Sequence, residues 1–170
     1  MPVLGKADAR RAAIVEQLTD FILTHGLDAA SLRPLAAAAG TSDRMLLYYF
    51  ADRQAILAAV LANAGLRLAG QLSALSDATP RDPQALEIEL LSITASPDLA
   101  PYMRLWIDVA ARAARGDPLL RAVGEQVARG FLGWIAERLA IPDPAERDAA
   151  ALRLLRLTDG AIVLRAVGIE

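Results

Sequence analysis

Alanine and leucine dominate this chain, and they limit its possible folds more than any other feature. Of the 170 residues, 36 are Ala and 28 are Leu, and both residue types are strong helix formers. Residues that favour strands are sparse, and no segment shows the period-two alternation of a strand. The composition excludes a β-sandwich, a collagen-like rod and a disordered acidic chain, and it predicts an all-α fold.

Capping and turn residues predict about eight helices. An apolar stripe predicts the first helix over 6–25, and Gly26 ends it. Gly40 ends the second helix, and leucines at helical spacing extend the fourth helix to about Leu75. The candidate N-caps of helices two, three and four are Ser31, Ser42 and Asp52.

The later helices begin with a repeated sequence pattern, in which an Asp caps the helix and a Pro occupies its first turn. This pair begins three helices, which we predict over 82–95, 118–140 and 144–168. A further helix opens at Ser96-Pro97 or Asp98 and runs to 116, and the sequence 158–160 interrupts the last helix. We therefore predict a three-helix head over 6–53 and a larger helical body over 54–170, which the long fourth helix joins.

The segment 31–50 has the pattern of a helix-turn-helix. Ala36 is small where two short helices must approach, and Gly40 permits a tight turn between them. Leu35, Ala39 and Leu46 supply apolar contacts inside the corner. Such a unit places its second helix in the DNA major groove. An alanine-rich helical hairpin without any DNA-binding role is the alternative on this pattern alone.

With its flanks, this segment resembles the amino-terminal domain of the TetR family of bacterial transcriptional regulators. The resemblance covers residues 10–60, and its most specific part is Ala36-x-x-Ala39-Gly40-x-Ser42 followed by Leu46-x-x-Tyr49-Phe50-x-Asp52-Arg53. It implies a homodimer that binds a palindromic DNA operator, with an effector pocket in each body. A small apolar or amphipathic effector would release such a repressor from DNA. The position Leu47 departs from the Tyr of many members, and Asp43-Arg44 from pairs such as Lys-Gly.

Ten residues in and beside the helix-turn-helix are candidates for DNA contact. Arg44 is the best base reader, because an arginine can donate two hydrogen bonds to guanine. Hydroxyl groups such as that of Tyr48 suit phosphate contacts. Asp43 suits either a cytosine contact or a role as helix cap and partner of Arg44, and we favour the cap. Phe50 suits packing. The candidates are Ser31, Leu32, Arg33, Thr41, Ser42, Arg44, Met45, Tyr48, Tyr49 and Arg53.

The net charge of the chain does not indicate a nucleic-acid partner. The whole chain has a formal charge of −2, and residues 1–53 hold six bases and six acids. DNA affinity must therefore come from the placement of a few arginines, such as Arg33, Arg44 and Arg53, and not from a broadly basic domain.

Apolar stripes in the body suit an effector pocket or an ordinary core. On the sixth helix, Tyr102, Leu105, Trp106 and Val109 share one stripe, and Arg104, Asp108 and Arg112 share a solvated one. The candidate pocket residues are Leu61, Leu68, Leu91, Tyr102, Leu105, Trp106, Val109 and Phe131.

The last two helices have surplus apolar surface, which favours a four-helix dimer interface. Asp159 suits an interface hydrogen bond or a polar pocket wall, and we favour the interface. The candidate interface residues are Gly124, Val127, Phe131, Trp134, Ile135, Leu152, Leu155, Asp159, Ile162 and Val163.

Enzymatic, metal and membrane functions find little support in the sequence. There is no Cys and His25 is the one His, which leaves no evident catalytic set, metal site or cofactor motif. The longest stretch without a charged residue, 54–66, is shorter than the ~20 residues that span a bilayer. The amino terminus lacks an apolar signal segment, so we expect a cytoplasmic protein. The alternative function is an all-α small-molecule carrier or adaptor that does not bind DNA.

Overall fold

The computed structural model describes residues 5–169, and this range contains eight α-helices and one short 3₁₀ turn at Leu27–Ala29. The one β pairing in 5–169 is an isolated bridge between Arg81 and Leu139. The all-α prediction is therefore confirmed. The helices are α1 Lys6–His25, α2 Leu32–Ala38, α3 Asp43–Tyr49, α4 Arg53–Leu75, α5 Pro83–Thr94, α6 Ala100–Ala114, α7 Pro118–Glu137 and α8 Pro144–Ala166. Residues 1–4, where we expect no signal segment, and Glu170 lie outside the described residues.

The chain divides into two compact units, Met1–Arg67 and Leu68–Glu170, and the division falls inside α4. The first unit contains α1, α2, α3 and most of α4. The second contains the end of α4 and helices α5 to α8. The functional boundary at 53/54 that we drew from the sequence is a different property of the chain, and it stays a prediction.

The amino-terminal unit has an apolar core built from leucines and isoleucines at helical spacing. Ile14, Leu18 and Ile22 form the buried stripe of α1, as the sequence predicts. Leu35 of α2 and Leu46 of α3 are fully buried as well. Burial of a Leu or Ile side chain contributes about 1.5–3 kcal/mol, so these side chains stabilise the short helices that could not form alone.

Helix α4 is long and apolar enough by composition to cross a membrane, but its contacts argue for a different role. Its most apolar window has a mean hydropathy of 1.5, and one third of that window is buried. Arg67 within α4 pairs with acidic residues of α1, and Asn63 donates to Thr19 of α1 at 3.0 Å. These polar links fix α4 to α1, so its apolar composition is that of a helix in a folded domain.

The carboxy-terminal unit has its own core where α5, α7 and α8 meet. Leu86 and Leu90 of α5 and Ile135 of α7 are fully buried. Leu154 and Leu155 of α8 complete the centre of this cluster. The amino ends of these three helices are capped as predicted. The cap bonds join the side chain of Asp82 to Gln84 and Ala85, that of Asp117 to Leu120, and that of Asp143 to Glu146.

Two predicted boundaries and one predicted interruption in this unit are wrong. Helix α6 begins at Ala100 and not at 96–98, because residues 96–99 form a turn in which Leu99 N–H donates to Ser96 C=O. Helix α7 ends at Glu137 and not at 140, because Ala140 N–H donates to Arg81 C=O instead of continuing the helix. Helix α8 is not interrupted at 158–160. It is continuous there, and the buried Thr158 hydroxyl donates to Leu154 C=O.

Candidate functional site

The turn between α2 and α3 has the hydrogen bonds of a helix-ending motif that favours glycine. Gly40 has φ +58°, and Ala37 C=O accepts from Gly40 N–H. Ala36 C=O accepts from Thr41 N–H at 2.9 Å. This pair of bonds defines a Schellman motif, in which the residue with positive φ is usually Gly. The sequence prediction of a tight turn at Gly40 is confirmed, and the turn brings α2 against α3.

Helix α3 is capped by Ser42 and presents most of its side chains to solvent. The Ser42 hydroxyl accepts from Met45 N–H at 3.3 Å, which confirms Ser42 as the predicted N-cap. Asp43 is the first helical residue, so the capping role that we favoured for it is wrong. Leu46 is buried, whereas Arg44, Met45 and Tyr48 are exposed. A short helix with one buried anchor and several exposed side chains is suited to insertion into a groove.

Tyr48 and Tyr49 differ in exposure, because Tyr48 faces solvent and Tyr49 is partly packed. Tyr48 is 74% exposed, and Tyr49 is half-buried with its ring edge-on to Tyr48 at a centroid distance of 5.2 Å. Phe50 is buried, and the guanidinium of Arg11 lies 4.7 Å from its ring centroid. The packing role that we predicted for Phe50 is therefore confirmed, and Tyr48 has the hydroxyl that is freer to meet a phosphate.

The other candidate DNA contacts lie at the start of α2, in the turn before α3 and at the start of α4. Ser31 and Arg33 are exposed, and Leu32 and Thr41 are half-buried. Ser31 occupies the N-cap position of α2, but its side chain makes no cap hydrogen bond. Arg53 is exposed, yet its Nε donates to Ala30 C=O at 2.5 Å, which occupies one of its five donors. These residues stay predicted contacts, because no DNA is present.

Several acidic residues of the amino-terminal unit bind groups of their own chain. Arginines can therefore remain without an acidic partner although acids and bases are equal in number over residues 1–53. The Asp52 carboxylate accepts from Ala55 N–H at 2.7 Å and caps α4. Glu16 and Asp20 pair with Arg67. By contrast, no ion pair within residues 5–169 engages the exposed Arg33 or Arg44. Placement and not net charge therefore gives this surface its cationic groups.

The Arg67 cluster is a feature that sequence reasoning missed. One guanidinium nitrogen donates to Asp20 at 2.5 Å, and the other donates to the carboxylate and the C=O of Glu16. The hydrogen bond from Arg67 lowers the pKa of Glu16. Burial opposes the charged form of Arg67, but its hydrogen bonds to Asp20 and Glu16 outweigh that cost, so its pKa is raised. The sequence signal for this cluster was a pair of matching spacings. Two acids lie four residues apart on one helix, and Asn63 and Arg67 lie four apart on another.

The candidate pocket residues of the body are buried or half-buried. Tyr102, Leu105 and Val109 lie on the buried side of α6, and Leu61 is buried in the amino-terminal unit. The half-buried members are Leu68, Leu91, Trp106 and Phe131. Phe131 packs against the core of α5, α7 and α8 and stacks on Trp134 at 5.7 Å. Burial suits both alternatives that the sequence left open, pocket and core, so the pocket stays a prediction.

Trp106 and Asp159 join α6 to α8 by a hydrogen bond. The indole Nε1 donates to Asp159 Oδ1 at 3.1 Å, and both residues are half-buried. Burial raises the pKa of Asp159, and the hydrogen bond from Trp106 opposes that rise. The carboxylate therefore binds a candidate pocket residue of its own chain. The interface role that we favoured for Asp159 from the sequence stays a prediction.

The candidate interface residues fall into two groups. Ile135, Leu155 and Ile162 are buried in their own unit, so these three are not exposed for contact with a second chain. Gly124, Val127, Phe131 and Trp134 are half-buried, and Leu152 and Val163 are exposed. More exposed apolar side chains line the same side of α8. We call this set the α8 face, and its members are Leu152, Leu157, Val163, Leu164 and Val167.

Comparison with known proteins identifies the amino-terminal unit. Residues 14–60 match the family described as bacterial regulatory proteins, tetR family. The helix-turn-helix transcriptional regulator PksA of Bacillus subtilis is 26% identical over 165 residues, which cover 94% of this chain and 80% of that protein. The match to the family includes the whole helix-turn-helix and the start of α4.

Solved structures extend the similarity to the whole fold. A TetR-family regulator from Cytophaga hutchinsonii has a TM-score of 0.80 at 16% identity, covering 98% of this chain and 88% of its own. A regulator from Saccharomonospora viridis, solved in complex with choline, has a TM-score of 0.67 at 21% identity, covering 94% and 86%. The exposed α3, the glycine turn before it and these matches agree. The amino-terminal unit matches the tetR family of bacterial regulatory proteins, and the chain as a whole is similar to helix-turn-helix transcriptional regulators.

Proposed function

We propose that this protein is a dimeric repressor in the cytoplasm that binds a palindromic operator and leaves it when a small effector binds. The observation that supports DNA reading most directly is the exposed side of α3, where Arg44 has no ion pair within residues 5–169. An unpaired arginine on an exposed helix can donate both hydrogen bonds to a guanine edge. Arg33, Ser31, Tyr48 and Arg53 then hold the helix in register through phosphate contacts.

The α8 face supports the dimer. Val163 and Val167 are one turn apart, and Leu157 and Leu164 form a neighbouring row at a spacing of 7. Leu152 lies three turns before Val163, with the exposed Arg156 between them. The exposed residues from 157 to 167 carry no charge, and an exposed apolar surface of this kind marks an interaction site. A second copy of the chain would cover it by a two-fold contact, which also presents two α3 helices to one DNA duplex.

An effector is supported by a neighbour in fold and by the composition of the body. The similar Saccharomonospora viridis regulator was solved in complex with choline, so this architecture accommodates a small organic molecule. The aromatic and aliphatic residues of α6 suit a pocket with few polar groups. An effector would weaken operator binding only to the extent that it prefers the DNA-free state of the dimer.

Selection of operators from a random pool of duplex DNA tests this proposal. We expect enrichment of an inverted repeat whose half-site centres are about 10–10.5 base pairs apart or a multiple of that spacing. We also expect two chains per operator in native mass spectrometry and an affinity that falls steeply with salt. Enrichment of no sequence, with no salt-dependent retention of DNA, would contradict the proposal and favour a carrier or adaptor.

A further inference from the structure

The Asp159 carboxylate lacks a cationic partner among the described residues. It lies half-buried on α8 and accepts one hydrogen bond, from the neutral indole of Trp106 at 3.1 Å. No Arg, Lys or His within 5–169 forms an ion pair with it. The other acids of this unit that face arginines are paired, as Asp77 and Glu89 are with Arg81. Asp159 is therefore a partly desolvated charge with one neutral donor.

Such a charge is unfavourable unless something compensates for it. Partial burial removes some of the water that solvates the carboxylate, and one hydrogen bond from a neutral donor replaces only part of that solvation. Burial accordingly raises the pKa of Asp159. A cation placed against the free oxygen would supply the missing counter-charge. The site thus favours one class of ligand over neutral and anionic molecules.

The surroundings of the carboxylate add an aromatic surface. Trp106 belongs to α6, and Tyr102 lies one helical turn before it. A Cβ atom placed on Gly124 of α7 would lie 4.0 Å from Trp106 Cζ3, so the α7 backbone passes close to the indole ring. Trp106 is therefore held among three helices of one unit. Indole faces attract cations, and quaternary ammonium groups are recognised by aromatic rings of this kind.

We propose that Asp159 and Trp106 bind the positively charged group of a small organic cation, such as a quaternary ammonium compound. This inference rests on the proposed function, because it assigns a chemical class to the effector. The carboxylate supplies the counter-charge, and the ring of Trp106 supplies a face for the alkyl groups. The hydrogen bond between them fixes the orientation of the carboxylate before the ligand arrives.

The test measures ligand binding in the absence of DNA. Tetramethylammonium chloride is titrated into the full chain at constant ionic strength, and binding is followed by calorimetry and by tryptophan fluorescence. tert-Butanol serves as an uncharged probe of similar shape. We expect saturable binding of tetramethylammonium and at least about tenfold weaker binding of tert-butanol. Equal binding of the two probes, or no binding of tetramethylammonium, would overturn the proposal without reference to any variant.

Two variants with the same change of charge locate the site. Asp159→Asn keeps an oxygen that accepts from Trp106 but removes the charge, and we expect it to weaken tetramethylammonium binding at least about tenfold. Asp98→Asn alters an exposed carboxylate of the same unit and should leave that affinity unchanged. Loss of dimer in Asp159→Asn with unchanged tetramethylammonium affinity would overturn the proposal and assign the carboxylate to the interface.

Operator binding is measured separately, so the two ideas can fail independently. If the wild-type chain binds its selected operator but not tetramethylammonium, the DNA-binding function stands and the cation site is rejected. If it binds tetramethylammonium through Asp159 but no operator, the cation site stands and the repressor is rejected. Release of the operator by tetramethylammonium in the wild type, and not in Asp159→Asn, is the result expected if both hold.

Discussion

Helices α3 and α8 both expose large apolar side chains, but the surfaces differ in what lies between those side chains. On α3, the exposed Met45 and Leu47 alternate with Arg44 and Tyr48, so hydrogen-bonding groups are interspersed with apolar ones. On α8, Arg153 and Arg156 are exposed beside Leu152, but the exposed residues from 157 to 167 carry no charge. Exposed apolar area alone therefore does not indicate the kind of partner. The polar groups among it distinguish a DNA surface from a protein surface.

The two helices also differ in what holds them in place. Helix α3 has seven residues and depends on Leu46, on the Ser42 cap and on the Gly40 turn. Helix α8 has 23 residues and contributes several side chains to the core of its unit. A short helix cannot persist without such supports. We therefore expect a single substitution to disturb α3 by removing its cap, its turn or its buried anchor. A single substitution on the exposed side of α8 should instead act by disrupting contact with a partner chain.

The largest effect is expected from a charge in the α8 face. Val163, which is 52% exposed, becomes buried if two copies pair through this face. Val163→Glu would then bury two carboxylates per dimer at a cost of several kcal/mol each, so we expect monomers and loss of operator binding. Sedimentation velocity over a range of concentrations measures this. Ile88→Glu on α5 makes the same change at a site that is also exposed and should leave the dimer intact. Identical oligomeric states for both variants would remove α8 from the interface.

A smaller effect is expected at the base-reading position of α3. Arg44→Ala should weaken specific binding by about 1–3 kcal/mol and relax the preference at one base position of each half-site. Arg33→Ala should weaken binding to all sequences alike and reduce the salt slope by about 1. Competition gel shifts with single-base operator variants separate the two results. Arg104→Ala on α6 is the matched control. An unchanged sequence preference in Arg44→Ala would exclude Arg44 as a base reader.

Next in size is the cap of α3. Ser42→Ala removes the acceptor for Met45 N–H and should lower the free energy of unfolding by about 1 kcal/mol. Ser31→Ala changes the same residue type at the α2 cap position, where the side chain makes no cap bond, and should have little effect. Urea unfolding measures both. Equal losses would show that the Ser42 hydrogen bond does not stabilise α3.

The smallest effect is expected for the ion pairs between α1 and α4. Arg67→Met should cost no more than about 1 kcal/mol at neutral pH, because the carboxylates of Glu16 and Asp20 are largely exposed to solvent. The folded-state pKa of Glu16 is lowered, so its stabilisation is present above its unfolded pKa. It is lost as the pH falls through the folded value.

Thermal unfolding of this variant from about pH 7 to about pH 3 provides the check. The difference between wild type and Arg67→Met should shrink as the pH falls. Arg129→Met, which removes an exposed i,i+4 pair with Glu125, is the control for a generic surface ion pair. A difference between wild type and Arg67→Met that grows toward acid would contradict this assignment.

Local features of the fold were predictable because they depend on residues close together in sequence. Ser42, Asp52 and Asp143 cap helices as their spacing indicates, and Gly40 has the positive φ that its turn requires. The start of α6 was not predictable in the same way, because residues 96–99 form a turn that resembles the first turn of a helix.

The candidate site was only partly predictable, because its polar links join distant residues. Trp106 and Asp159 are 53 positions apart, and Arg67 and Glu16 are 51 apart. Periodicity assigns each residue to one side of its own helix but does not say which side of another helix it meets. Pairs of matching i,i+4 spacings on two helices, as in the Arg67 cluster, are the nearest sequence signal for such links.

The attachment of α3 bears on how regulators of this kind diverge. Leu46 and Phe50, one turn apart, are the buried residues at its carboxy-terminal half, whereas the positions 44, 45, 47 and 48 are exposed. Substitutions at those four positions alter the surface that we propose meets DNA but leave the core unchanged. After gene duplication, a copy can therefore acquire a new operator through a few codon changes without refashioning its fold. The same separation makes these positions the natural choice for a library that redirects the protein to a chosen DNA sequence.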